Sequence, residues 1–223
     1  MASDGFLTTD QKRSLAERIE AAERGTRGEI VTVIAQRSDG YRYIPTLWAA
    51  LMALSLPGLH WLYTAVGHGA GGWGDAVSGH DTLTWLYPLQ VMTFLGLGAL
   101  FQLPRARLLL IPATVKRQRA ARHAREQFFA QGLHRTELRS GILIFVSVAE
   151  HYVEIIADEG IADRVDAAMW QETVDEFVAQ VRAGNIAQGF ESAVERCRVV
   201  LWEHYPDTAG GRPDELPNHL IEV

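Results

Sequence analysis

The stretch Ser140-Gly-Ile-Leu-Ile-Phe-Val-Ser-Val-Ala-Glu-His-Tyr-Val-Glu-Ile-Ile-Ala-Asp158 decides the fold. From Ile142 to Val148 nearly every residue is β-branched or aromatic, with no polar alternation, as in a strand covered on both faces. The second half alternates. Glu150, Tyr152, Glu154, Ile156 and Asp158 share one face, and His151, Val153, Ile155 and Ala157 the other. The stretch therefore predicts a buried central strand, a tight turn near Ala149 and a hairpin partner over 150–157 bearing a row of carboxylates. Chemistry in the soluble part is expected where that second strand ends, around Asp158 and Glu159.

Upstream, Glu29 to Gln36 (EIVTVIAQ) reads as another strand, rich in Val, Ile and Thr. Before it, residues 8–24 form an amphipathic helix. Thr8 and Gln11 are spaced as a capping box, and Leu15, Ile19 and Ala22 make the apolar stripe. A helix over 114–131 precedes the hairpin, with Phe128 and Phe129 as its docking points and Gly132 as its end. Downstream come a turn or short helix over 160–165, a helix over 167–181, a break at Gly184-Asn185, and a last helix over 186–203. That last helix turns Ile186, Phe190, Val194, Cys197 and Leu201 inward. The tail 207–223 is rich in Pro, Gly and Asp, but Leu216, Leu220, Ile221 and Val223 could pack back. Strands 29–36 and 141–148 are expected as parallel neighbours joined by a right-handed crossover, with the hairpin strand antiparallel. The fold class is α/β: an α/β/α sandwich with a small mixed sheet.

Two runs interrupt this pattern. Neither Tyr43–Val66 nor Leu83–Leu103 contains Asp, Glu, Lys or Arg, and each reaches the roughly 20 residues that cross a bilayer. They predict a two-helix transmembrane hairpin over 43–112. It divides the domain into a first half (1–42) and a second half (113–206). Pro57 with Gly58 is expected to kink or shorten the first span, and Trp48, Trp61, Tyr63 and His60 suit headgroup level. The loop between the spans has no Lys or Arg, whereas Arg105, Arg107, Lys116, Arg117, Arg119, Arg122 and Arg125 follow the second. The positive-inside rule then puts both termini in the cytoplasm of a bacterium, with the protein multi-pass in its inner membrane. Arg105, Arg107, Lys116, Arg117 and Arg119 would contact lipid headgroups. Met1-Ala-Ser-Asp-Gly leads directly into a polar helix, so the first span is expected to serve as its own insertion signal.

Composition narrows the function. The net charge of −6 and the lack of a basic–aromatic patch argue against nucleic-acid binding. The single cysteine, Cys197, excludes an internal disulfide and an all-cysteine metal site, and its place on an apolar stripe reads as a small buried hydrophobe. His68, Asp75, His80 and Asp81 of the glycine-rich loop are metal-ligating types at a spacing that fits no recognised site, and read as a solvated loop. Glu154, Asp158, Glu159, Asp163 and Asp166 crowd one short stretch. Asp158, Glu159 and Asp163, supported by Glu154 and Glu29, could hold a hard cation such as Ca²⁺ or Mg²⁺. Such a cation could orient a phosphate for hydrolysis. The plainer alternative is a solvated acidic turn with Asp163 or Asp166 capping the next helix. No phosphate loop, nucleophile elbow or Ser/His/Asp spacing is present.

Gly141-Ile-Leu-Ile-Phe-Val-Ser147 followed by Glu150-His-Tyr-Val-Glu-Ile-Ile-Ala-Asp158-Glu-Gly-Ile161 resembles the centre of the TPM-domain family. Gly28-Glu29-Ile30, Arg139, Trp170, Ala183-Gly184 and Asp214-Glu-Leu-Pro-Asn218 match around it, so the resemblance spans nearly all of 8–223 outside the apolar runs. It is similar to the bacterial membrane-anchored branch, in which a transmembrane pair interrupts the domain. The resemblance implies an α/β/α sandwich. It implies one of several roles: acid phosphatase, divalent-cation binder, or assembly factor for membrane complexes. Where the secreted form has a Gly-Tyr-Gly-Leu-Glu-like turn, this chain has Asp158-Glu159-Gly160-Ile161, and His151 replaces the usual basic residue. The expectation is a membrane-anchored binding or assembly module with a membrane-protein partner; the alternative is a metal-dependent phosphatase.

Overall fold

The structure is a computed structural model and describes residues 6–41, 43–67, 79–103, 110–207 and 216–223. The chain divides into two compact units, Met1–Asp39 with Thr114–Val223, and Gly40–Ala113.

The first unit is a mixed α/β fold. Helix α1 (Thr9–Glu23) starts at the capping box read from the sequence: the Thr8 hydroxyl accepts from the Gln11 N–H at 3.3 Å, and Gln11 Oε1 accepts from the Thr8 N–H at 2.8 Å. Two otherwise orphaned donors are thereby satisfied. Strand β1 (Glu29–Ala35) is buried along its whole length. It pairs in parallel with β2 (Gly141–Ser147), Glu29 opposite Gly141 and Ala35 opposite Ser147. Strand β3 (Tyr152–Ala157) runs antiparallel to β2, Ile142 opposite Ala157. The turn between them closes with the His151 N–H donating to the Val148 carbonyl at 3.2 Å, and His151 takes φ +48°. Glu150 belongs to this turn rather than to the strand. A fourth strand, β4 (Ile221–Glu222), lies parallel on the other edge of β1, so the order is β3-β2-β1-β4.

Period-2 alternation sorts the sheet into two faces. Ile30, Ile34, Ile142, Ile144, Val146 and Val153 face α1, α6 (Ala167–Ala183) and α7 (Ile186–His204), in one core with Leu15, Ile19, Phe177, Phe190, Val194, Cys197 and Leu201. Val31, Val33, Leu143 and Phe145 face α4 (Ala113–Ala130) and the short 3₁₀ turn Leu133–Arg135, meeting Ala124, Phe128 and Leu133. This is the sandwich the unbroken apolar run called for. On α4 only Phe128 docks; Phe129 is 61% exposed, a correction to the expected pair. One helix turns 100° per residue, so adjacent phenylalanines cannot both face one sheet. Gly132 ends the segment at φ +78°.

The second unit holds α2 (Tyr43–Gly67) and α3 (Gly79–Phe101), which pack along one another; α2 runs on through Pro57. Tyr43–Val66 and Thr84–Phe101 are long and apolar enough to cross a membrane by length and composition. Only 11% and 6% of their most apolar stretches are buried.

Candidate functional site

The β3–α5 corner carries the residues the sequence singled out. Asp158 ends β3 and caps α5 (Glu159–Ala162): its backbone is extended and its Oδ1 accepts from the Glu159 N–H at 2.8 Å. Its side chain is buried, and Oδ2 accepts no hydrogen bond among the described residues. Glu159 is exposed and pairs with Arg139 at 3.2 Å. Asp163 lies past the far end of α5, exposed, with its backbone N–H donating to the Glu159 carbonyl. Asp166 caps α6 by accepting from the Ala168 N–H at 3.0 Å.

The supporting carboxylates stand apart. Glu154 is four residues before Asp158 on an extended strand, a rise of roughly 13 Å. Glu29 and Asp158 are both buried and flank Gly141, two strand spacings or about 10 Å apart. The space over Gly141 is taken by Leu133, whose Cδ2 would lie 2.8 Å from a side chain there. Ca²⁺ takes six to eight oxygens and Mg²⁺ a near-octahedral set. Among the described residues no group of three His, Cys, Asp or Glu is placed to hold a metal ion. His68, Asp75, Arg105 and Arg107 lie outside the described residues, as do the side chains of His80 and Asp81.

The opposite end of the sheet carries a polar network. At the C-terminal ends of the parallel pair, the Ser38 hydroxyl donates to Ser147 Oγ at 2.8 Å, and the Ser147 hydroxyl donates to Glu150. Glu150 also accepts from the Ser38 N–H at 3.2 and 3.3 Å. Next to it, Asp39 meets Arg119 of α4 at 3.4 Å. Ser147 is fully buried and Ser38 half-buried, and the chain of hydroxyls fastens β1, β2 and the 148–151 turn together. Further along β3, Tyr152 donates to Glu154 at 3.0 Å. Burial raises Glu154 above the usual carboxylate range, with the Tyr152 hydrogen bond and the Arg125 charge pulling it back. The Tyr152 phenol is pushed up, first by burial and then by Glu154. Strand register sets Ser147 opposite Ala35, which brings the Ser38-Asp39 exit beside Glu150, and C-terminal strand ends are where parallel sheets collect polar groups.

Three comparisons place these features among known proteins. The NMR structure of BA42 protein from the psychrophilic bacterium Bizionia argentinensis is similar in fold: TM-score 0.57 at 18% identity, covering 99% of this chain and 98% of that one. No curated protein matches the chain. Residues 105–200 match the TPM domain family, a segment that holds β2, the turn, β3 and most of the helices packed on them. Over that segment the chain is similar to the TPM domain family.

Proposed function

We propose that the chain is a membrane-anchored TPM module, held at a bacterial inner membrane by α2 and α3 with both termini cytoplasmic, where it binds and steadies a protein of that membrane. The observation that carries this reading is the surface of the two apolar helices. Leu47, Leu54, Trp61, Met92 and Leu95 are all more than half exposed. Soluble proteins rarely leave apolar patches above a few hundred Å² to water, whereas a bilayer accepts them. The lack of Lys and Arg in 67–82, against the basic residues after the second span, supports the orientation. Binding rather than turnover is supported by the work the polar groups already do: Ser147 is locked inside, Asp158 caps a helix and Glu159 holds Arg139.

The test is fractionation and topology. The chain should stay in the membrane pellet after alkaline carbonate washing. A reporter fused at Gly74 should read extracytoplasmic and one at the C-terminus cytoplasmic. Release by carbonate would overturn the anchoring. Cross-linking from the membrane should then recover a specific membrane protein.

A divalent cation is a subsidiary reading, and the Oδ2 of buried Asp158, which accepts no hydrogen bond among the described residues, is what favours it. Ca²⁺ or Mg²⁺ should raise the urea midpoint of the wild type and leave Asp158→Asn unmoved. Equal shifts in both would remove Asp158 from any cation site. Mg²⁺-dependent phosphatase turnover abolished by Asp158→Asn would replace the binding reading with a hydrolytic one.

A further inference from the structure

Helix α4 distributes its charge unevenly. Residues 116–125 carry Lys116, Arg117, Arg119, Arg122 and Arg125 and no carboxylate; its one acidic residue, Glu126, follows them. Of these cations Arg119 meets a carboxylate of another element, Asp39. Among the described residues Arg122 has only an exposed pair with Glu126 at 3.0 Å, the kind that water largely screens. Lys116 and Arg117 make no ion pair among the described residues. The buried stripe Ala120, Ala124 and Phe128 fixes which side of the helix faces the sheet, and Arg117, Gln118 and Arg122 are left exposed.

The sign of this charge runs against the helix itself. The macrodipole puts partial positive charge at the start of α4, where nothing acidic lies in the first turn and Lys116 and Arg117 add more. External anions relieve that conflict. Only residues 102–112 separate the second apolar helix from α4, so the anions nearest in the chain are those of the membrane that helix enters.

We propose that the basic stretch 116–122 of α4 binds the headgroup phosphates of anionic phospholipids, through Lys116, Arg117 and Arg122. This rests on the anchoring reading above. Polybasic segments next to a span are drawn to anionic leaflets in this way, and salt weakens the attraction.

The test uses the full chain in lipid nanodiscs of phosphatidylcholine, with and without phosphatidylglycerol. A fluorophore is placed on Gln118→Cys; Cys197 is buried, so the introduced thiol is the one labelled. Acrylamide quenching should fall several-fold in the anionic discs. High salt should restore it, and so should the triple variant Lys116→Gln, Arg117→Gln, Arg122→Gln, whose exposed or half-exposed positions spare the core. Equal quenching in the two kinds of disc overturns the headgroup contact while leaving the anchoring intact. Protection produced in phosphatidylcholine discs by inorganic phosphate alone assigns the cluster to a free anion and overturns it too. A chain that enters neither disc overturns the anchoring, and the headgroup contact with it.

Discussion

Two carboxylates show how one residue type takes different work from its surroundings. Asp158 caps α5 with one oxygen. Asp158→Ala should therefore cost about 1 kcal/mol, and Asp158→Asn, which keeps a capping oxygen, much less. Urea unfolding of the two variants checks this; equal losses would mean that the charge, not the cap, matters. Glu154 is different because burial raises its pKa in the folded state. The folded chain then holds a proton that the unfolded chain has lost, so stability is fullest below the unfolded pKa and declines as pH rises through the folded one. Glu154→Gln should flatten that decline: the variant gains on the wild type at neutral pH, and the gain vanishes in acid below about pH 4. Unfolding midpoints across pH measure it, and a gain that persists in acid would assign the effect to packing. The sequence pointed to Asp158 and offered helix capping, through Asp163 or Asp166, as the plainer use of the acidic turn. Asp166 caps α6, and Asp158, which that reading did not assign to a cap, caps α5. The Ser38–Ser147–Glu150 network escaped it, because bonds joining residues 109 and 112 positions apart leave no local periodicity.

At the scale of elements, close packing makes sharper demands than pattern. Helices α6 and α7 meet where Phe177 lies against Gly189, and a Cβ on Gly189 would stand 2.2 Å from a ring carbon of Phe177. Alanine gains up to ~1 kcal/mol in helix propensity there. Overpacking a filled core costs ~1–3 kcal/mol and should win, because the Phe177 ring is 1% exposed and stacked edge-on against Phe190. Gly189→Ala should lower thermal stability, and Gly189→Ala with Phe177→Leu should recover part of the loss; no recovery would place the strain elsewhere. The strands β1 to β3 were legible because a run such as Ile-Leu-Ile-Phe-Val has no polar face to offer water. Helix α1 was legible to within a residue from Thr8, Gln11 and its stripe. Strand β4 was legible only as apolar residues that could pack back. Its two residues gain strand form from the Val223 N–H donating to Ile34 at 3.0 Å and from Lys12 meeting Glu222 at 2.9 Å, partners remote in the chain. Phe129 was misread because apolar type says nothing of the direction a side chain takes around a helix.

The whole molecule is a domain into which a second unit has been inserted between Asp39 and Thr114. Among the described residues, the inserted segment contributes none of those in the two cores of the first unit. Those cores contain many fully buried Leu, Ile, Val and Phe side chains, each worth ~1.5–3 kcal/mol relative to exposure, and the sheet pairs only strands of that unit. The two cut ends also come near each other within it, since Asp39 reaches Arg119 at 3.4 Å. Loop closure costs little with length, ~0.6 kcal/mol for each doubling, so a shorter connection should help slightly rather than hurt. Replacing Gly40–Ala113 with a Gly/Ser linker of about eight residues, which spans roughly 27 Å when extended, leaves both ends unstrained. The resulting chain should be soluble without detergent and unfold in one cooperative transition. Its amide spectrum should show slow exchange along β1 and β2, whose residues are buried throughout. A soluble chain with fast exchange in β1 would mean that the parallel pairing depends on the inserted helices, and that the two units are one folding entity despite their separate cores.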